Sequence, residues 1–365
     1  MNGPLQKDKL REVYLRAREA KLSPLFQTLS SDRLSREYDP CEWAIGPFER
    51  IERLTFSKQS QWKDPLEIGW EGHAIHNATV IEEEGRLHLF YRCNPSMEGL
   101  SARIGLAVHD ERTGWTDSGE NPLVYPTQEN EGLGCEDPKV YRADGRYFLF
   151  YLGIFRPSPE DHARHDDAGY PVGEVGCEIN LAVSDDLVYW QKRGPIIPRT
   201  LTRLWAKSAV IPRSGNGDAV KIDGRYLMFV SEGCGGPQMM GVSTDMEHWE
   251  FHHEQFLDTR PLGRLHEVMS AVIDGEQDDR LVMDFFYDDG SGITRAGEAL
   301  FRSSAPTRQV SLNRGGTLDA GGLLRYQGRW MHAQGWDSRP GEPAINFYAT
   351  MRRGALGSSD GSIFD

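Results

Sequence analysis

The sequence predicts an all-β fold, a five-bladed β-propeller with an N-terminal helical extension, and three observations carry that prediction. A turn-plus-strand phrase occurs five times, a second apolar run precedes each copy, and the copies recur at a distance that suits a four-stranded sheet. The phrases are EGRLHLFYRCN from Glu84, DGRYFLFYLG from Asp144, DGRYLMFVSEG from Asp223, DRLVMDFFYDDG from Asp279 and QGRWMHAQGWD from Gln327. Each opens on a Gly or Asp turn and continues into six to eight residues dominated by Tyr, Phe, Leu, Val and Met, the composition of a hairpin turn feeding a buried strand. The preceding runs are NATVI, PKVYR, DAVKI, MSAVI and GGLLRY, so each unit holds a strand, a tight turn and a second strand.

In the first three units an outer hairpin follows. AVHDERTGWTDSG, AVSDDLVYWQKRG and GVSTDMEHWEFHH share a small residue, Val, an Asp and a Trp, and the recurring Trp115, Trp190 and Trp249 fit edge packing. Successive turns lie 60, 79, 55 and 49 residues apart, and the long interval contains the polar insertion FRPSPEDHARHDDAGYPVGEVGC. Radial repetition of such units protects the sheet edges. Residues 1–40 differ, with Leu10, Val13, Tyr14 and Ala17 at helical spacing before Pro24, so a helical extension is expected there. The propeller is expected over 41–354 and a tail over 355–365.

Composition narrows the partners. With 55 acids against 41 bases the net charge is −14, no Lys/Arg-rich run occurs, and neither a nucleic-acid nor an anionic-membrane surface is expected. The first residues lack an apolar leader and no run approaches the ~18 residues of a membrane span, which predicts a cytoplasmic protein. The five cysteines contain no CxxC pair, so no metal site is expected and buried free thiols are favoured. No heptad or evident patch indicates a partner chain, and a homo-oligomer stays open.

In a propeller the inner strands line a central channel, and polar residues just before them converge from distant sequence. Those segments read EGHAIHNATVI, GCEDPKV, LWAKSAVIPRSGNGDAV, GRLHEVMSAVI and GTLDAGGLL. They bring Glu71, His73, His76, Asn77, Glu136, Asp137, Lys207, Asp218, His266, Glu267 and Asp319 to or beside one cavity. Carboxylates gathered with His and Lys suit proton transfer at a glycosidic bond. His73 and His76, three apart, fall on opposite faces of a strand, which disfavours a shared metal. Asp218 and Asp319 suit either a turn or a sugar ligand.

HNATVIEEEGRLHLFYR, GLGCEDPKVYRADGRYFLFYLG and INLAVSDDLVYW together resemble glycoside hydrolase family 130, five-bladed enzymes acting on mannosides, and more remotely other five-bladed propeller glycosidases. The resemblance covers about residues 65–250. It implies that Asp137 is the general acid, protonating the glycosidic oxygen directly or through a sugar hydroxyl, and that Asn77 and Arg92 border the sugar site. It further suggests Lys207 as a basic residue near the reacting centre. The chain departs from the family pattern at Lys139, where Arg is usual after EDP, and lacks the Arg that helps phosphorylase members bind phosphate before the Ser-Asp turn. A phosphorylase needs converging cations, whereas a hydrolase needs a second carboxylate, which Glu267 can supply beside His266. The expectation is an inverting glycoside hydrolase on mannosides or a related sugar, with Asp137 and Glu267 catalytic and Glu71, His73, Asn77, Arg92, Glu136, Lys207, Asp218, His266 and Asp319 binding an oligosaccharide. The alternatives are a phosphorylase, with inorganic phosphate as co-substrate and Arg92, Lys207, Arg264 and His266 as its cations, and a non-catalytic sugar-binding propeller. No cofactor is expected.

Overall fold

Continuous apolar runs in short strands, joined by tight turns and buried on both faces, give five separate antiparallel sheets. The computed structural model describes residues 12, 39, 41–57, 70, 72, 74–94, 101–164, 175–231, 237–273, 279–291, 294–317, 321–336 and 342–351. Blade 1 comprises Ala74–Glu83, Arg86–Asn94, Arg103–Asp110 and Gly114–Asp117, and blade 2 comprises Gly134–Ala143, Arg146–Phe155, Gly176–Ser184 and Gln191–Pro195. Blade 3 comprises Lys207–Val210, Tyr226–Ser231, Gln238–Ser243 and Glu250–His253, and blade 4 comprises Arg264–Ile273, Arg280–Asp288, Thr294–Arg302 and Ser311–Arg314. Blade 5 takes Leu324–Tyr326, Arg329–Gln334 and Ala344–Thr350 from late in the chain and its outermost strand, Phe48–Arg50, from early in it. Phe48 pairs with Thr350 and Arg50 with Tyr348, closing the ring. The sequence reading did not foresee this strand exchange. Of the expected N-terminal helical extension, Glu12, which is helical, and Asp39 are the described residues; the rest of 1–40 and the tail lie outside them.

The repeated turns have the geometry their sequence demands. Glu84-Gly85, Asp144-Gly145, Asp223-Gly224 and Gln327-Gly328 all have positive φ at both positions, 47° to 52° for the first residue and 74° to 78° for the glycine. That is the type I′ turn, whose twist matches the flanking strands. Five apolar layers fill the spaces between blades. Ile81, Phe90, Val140 and Leu149 pack between blades 1 and 2. Phe150, Ala209, Tyr226 and Met228 lie between blades 2 and 3. Phe229, Val268 and Phe285 join blades 3 and 4, Val272 and Leu323 join 4 and 5, and Val80, Met331 and Phe347 join 5 and 1. The blade-edge tryptophans are structural as expected: the Trp190 indole donates to Leu187 O at 3.0 Å, Trp249 to Met246 O at 2.9 Å and Trp115 to Leu54 O at 2.9 Å.

Blade 3 corrects one strand assignment. DAVKI (218–222) is not the inner strand; Lys207–Val210 is, and the chain then bends back before the hairpin at Asp223. Among the described residues no helix is long and apolar enough to cross a membrane.

Candidate active site

The inner strands share an irregularity near their first residues. In blade 1 the pairing register slips between His76 and Thr79, and in blade 2 between Glu136 and Lys139. Blade 3 slips between Lys207 and Val210, and blade 4 between Leu265 and Glu267 and again between Val268 and Ser270. Asn77 has φ 47° and Asp137 φ 49°, a left-handed conformation that a side chain occupies at a cost and that marks bulges aimed at a function. The consequence in blade 2 is specific. A regular strand would turn Glu136 and Asp137 to opposite faces, whereas here both carboxylates reach one guanidinium.

That guanidinium is Arg92, at the end of the second strand of blade 1. Its Nη2 lies 2.8 Å from Glu136 Oε1 and its Nη1 2.9 Å from Asp137 Oδ1, while Nε donates to Asn94 Oδ1 at 3.1 Å. Asn77 Nδ2 donates to the same Asp137 Oδ1 at 2.5 Å. Among the described residues Oδ2 of Asp137 accepts no hydrogen bond.

Opposite charges in a buried place decide the ionisation. Burial pushes the Asp137 carboxyl up, but Arg92, Lys207 and the bonds from Asn77 and Arg92 outweigh it and hold it below the usual carboxylate range. Glu136 has Arg92 in its favour but is fully desolvated beside the Asp137 charge, and burial pushes it up to about 7. The two carboxyls therefore titrate as a pair, with Asp137 ionised and Glu136 the one that takes up a proton toward neutrality. In blade 4, burial, followed by the charge of Asp137, raises Glu267 against the opposing pull of Lys207. Burial opposes the charge on Lys207, yet Glu267, Asp137, Cys177 and Glu136 together raise it, so the ammonium persists. His266 is lowered to about 4 by burial and by the charges of Lys207 and Arg264, and is neutral at pH 7. Burial also pushes the nearby Cys177 thiol up, which removes it as a nucleophile. Among the described residues no three His, Cys, Asp or Glu side chains are grouped to hold a metal ion.

The structure thus brings together Asn77, Arg92, Glu136, Asp137, Lys207, His266 and Glu267, from blades 1 to 4. Asp218 does not join them. It bonds Arg142, which also pairs with Glu83 at 2.7 Å, at the far end of the blade 2 inner strand. Arg142 is five residues beyond Asp137, roughly 16 Å along a strand, so Asp218 closes a turn on the opposite side of the disc. Glu71, His73 and Asp319 lie outside the described residues.

Two contributors escaped the sequence reading. Lys139, the residue standing where the family pattern has Arg, is buried and crosses from blade 2 to donate to Met269 O at 2.5 Å in blade 4. Met269 sits in the bulge immediately after Glu267, so this ammonium ties the strand bearing Asp137 to the strand bearing Glu267. Trp336, just past the second strand of blade 5, donates its indole N–H to Asn77 Oδ1 at 2.8 Å and meets His76 edge-on with ring centroids 4.4 Å apart. Its signal was available in QGRWMHAQGWD, where this tryptophan falls outside the blade-edge pattern of the other three.

A sequence model of glycoside hydrolase family 130, described as β-1,4-mannooligosaccharide phosphorylase, matches residues 47–163, from the closing strand to the middle of blade 2. A 1,2-β-oligomannan phosphorylase of Thermoanaerobacter sp. (strain X514) is 22% identical over 251 residues, 66% of this chain and 74% of that protein. A β-1,2-mannobiose phosphorylase of the same organism is 29% identical over 114 residues, 28% of this chain and 37% of that protein. Among solved structures, one from work on family 130 glycoside hydrolases that target β-1,2 mannosidic linkages in Candida mannan superposes with a TM-score of 0.65 at 19% identity, covering 85% of this chain and 96% of its own. The β-1,2-mannobiose phosphorylase of Listeria innocua superposes with a TM-score of 0.59 at 14% identity, covering 82% and 96%. At these identities the superpositions show a shared fold.

Proposed function

We propose that this chain, which resembles glycoside hydrolase family 130 in sequence and shares the fold of its solved members, is a glycoside-cleaving enzyme that hydrolyses mannosides with inversion in the central funnel. The observation that carries the reading is the charge count at the site. Three buried carboxylates, Glu136, Asp137 and Glu267, share the site with Arg92, which is paired with Glu136 and Asp137, and with Lys207, whose charge Glu267 and Asp137 sustain. Lys139, the third cation in reach, is committed to the Met269 carbonyl. A phosphate dianion would find the Arg92 charge spent on two carboxylates, whereas an attacking water needs a carboxylate base, which Glu267 can supply.

In this reading Asp137 delivers the proton to the glycosidic oxygen, directly or through a sugar hydroxyl, after taking it from Glu136, which is the member of the pair that holds a proton in the free enzyme. Glu267 on blade 4 takes a proton from the attacking water, and Lys207, whose charge opposes the burial of Glu267, favours its ionised form and steadies the developing charge. Neutral His266 offers a hydrogen bond to a sugar hydroxyl. No cofactor enters the scheme, and a cytoplasmic location suits it.

A second reading, phosphorolysis, is favoured by the activities named for the two curated relatives and by the persistent charge on Lys207. The test is incubation with β-1,2-manno-oligosaccharides and aryl mannosides, with and without inorganic phosphate. Hydrolysis predicts free mannose independent of phosphate and none from Asp137→Asn or Glu267→Gln, both still folded. Phosphate-dependent release of a sugar 1-phosphate would replace the hydrolase reading. Sugar binding unaffected by Asp137→Asn, with no turnover of any glycoside, would leave a binding propeller.

A further inference from the structure

Asn77 has an amide with two chemically different ends, and what lies at each end determines which way it points. The indole N–H of Trp336 is a donor with no acceptor capacity, so the amide end facing it must be the oxygen. The 2.8 Å bond from Trp336 Nε1 to Asn77 Oδ1 therefore turns Nδ2 toward Asp137, where it donates at 2.5 Å. This donation is one of the interactions that keep the Asp137 carboxylate charged. Trp336 is thus linked through one side chain to the residue placed at the reacting centre.

Among the described residues no further hydrogen bond or ring contact engages the indole. Trp336 is 37% exposed, and no other tryptophan among the described residues is classed with the exposed large hydrophobics. Its N–H is engaged by Asn77 and its ring is braced by His76 at an interplanar angle of 79°. What remains open is an apolar aromatic surface, fixed in orientation, beside an ionised carboxylate. Aromatic faces carry negative quadrupole charge and attract weakly positive hydrogens. A pyranose ring presents such hydrogens wherever its axial positions on one face are all C–H. A β-mannopyranoside has that face opposite its axial 2-hydroxyl, where H1, H3 and H5 are axial; an α-mannoside places its axial glycosidic oxygen on the same face.

We propose that Trp336 is a sugar-stacking platform for a β-linked hexopyranose and, through Asn77, a positioning residue for Asp137. The proposal rests on the glycoside-cleaving reading above and names the ring face the site takes. Two variants separate the two roles. Trp336→Phe keeps an aromatic face and loses the N–H, whereas Trp336→Ala loses both. Binding of β-1,2-mannobiose and of methyl α-mannoside is measured calorimetrically in the Asp137→Asn background, and kcat, KM and the pH profile are measured in the active enzyme. Thermal melting checks that each variant folds. Trp336→Ala is expected to weaken β-1,2-mannobiose binding roughly tenfold or more, the order of one lost aromatic stack, and to abolish the preference for β over α. Trp336→Phe is expected to keep KM within about twofold while the alkaline side of the pH profile, where the Glu136–Asp137 pair gives up its proton, moves upward, because Asp137 loses an oriented donor.

Wild-type affinity in a folded Trp336→Ala variant overturns the platform. An unchanged pH profile in Trp336→Phe overturns the positioning role. If β-1,2-mannobiose binds in a Trp336-dependent way but no glycoside is ever cleaved, the platform stands and the enzymatic reading fails; cleavage indifferent to Trp336→Ala gives the reverse.

Discussion

Replacing Arg92 with Met removes the cation shared by Glu136 and Asp137 while keeping an unbranched apolar stem. The side chains of Arg92, Glu136 and Asp137 are 13%, 5% and 12% exposed, so solvent cannot take over the lost role. Breaking a buried pair by removing one partner costs about 3–5 kcal/mol, because a charge is left behind. The variant can relieve that cost by protonating Asp137. In the wild type the Asp137 value is depressed in the folded state, so its contribution to stability is fully present above the unfolded value of about 3.9 and is lost only as the solution becomes more acidic. In the variant the folded value rises above the unfolded one, and stability then falls with increasing pH. Each pH unit over which the folded variant holds a proton that the unfolded chain has released is worth about 1.36 kcal/mol. Between pH 5 and pH 7 the penalty should therefore grow by up to about 2.7 kcal/mol, from about 1–2 to about 3–5 kcal/mol. Urea unfolding of both proteins at the two pH values measures it. A penalty below about 1 kcal/mol at pH 7, or one equal at the two pH values, would refute the account of Arg92 as the charge that holds the pair.

Because the acid must be supplied by a pair that still holds its proton, kcat/KM should fall as pH rises through about 7, the value to which burial lifts Glu136; Glu136→Gln should move that alkaline limb, and an unmoved limb argues against a shared proton. Lys139→Met should cost about 1.5–3 kcal/mol in unfolding and lower kcat by tenfold or more with KM little changed, since it frees the bulge after Glu267 without touching the sugar; an unaltered kcat would make Lys139 purely structural. A Cβ on Gly335 would sit 2.0 Å from Ile75 O, so Gly335→Ala should lose about 2 kcal/mol or more by forcing blades 5 and 1 apart. Gly85→Ala is the control, with open space around it and only its φ of 74° to oppose, costing about 1–2 kcal/mol. Equal losses at the two glycines would contradict the close approach at the blade seam.

Period and turn chemistry made the blades legible. A two-residue turn with both φ positive favours Gly at its second place, and an inner strand packed on both faces needs an apolar run, so four copies of the phrase repeat both requirements and the copy at Asp279 repeats the apolar run. Blade 3 was the exception because its inner strand, Lys207–Val210, is short and separated from its hairpin by a bent segment, while DAVKI occupies the place in sequence where the other blades have theirs. The same displacement carried Asp218 into the expected site. Bulges were not legible, since nothing in EDP or HNA announces left-handed φ, and with them went the convergence of Glu136 and Asp137 on Arg92. Arg92 was expected to border a sugar rather than to hold two acids. Lys139 read as a lost fork; only the fold shows it spanning the channel to Met269.

The strand Phe48–Arg50, paired with Ala344–Thr350, makes the first-formed part of this domain the last piece of its final blade. The ring is thus held shut by a non-covalent clasp, with the Met351 N–H donating to Pro47 O at 3.0 Å beside it. The five inter-blade layers have no inherent beginning. A chain rewired by a short linker between residues near 351 and those near 45, and opened instead in the loop between two other blades, should build the same disc with its clasp moved to a new blade, leaving the funnel undisturbed.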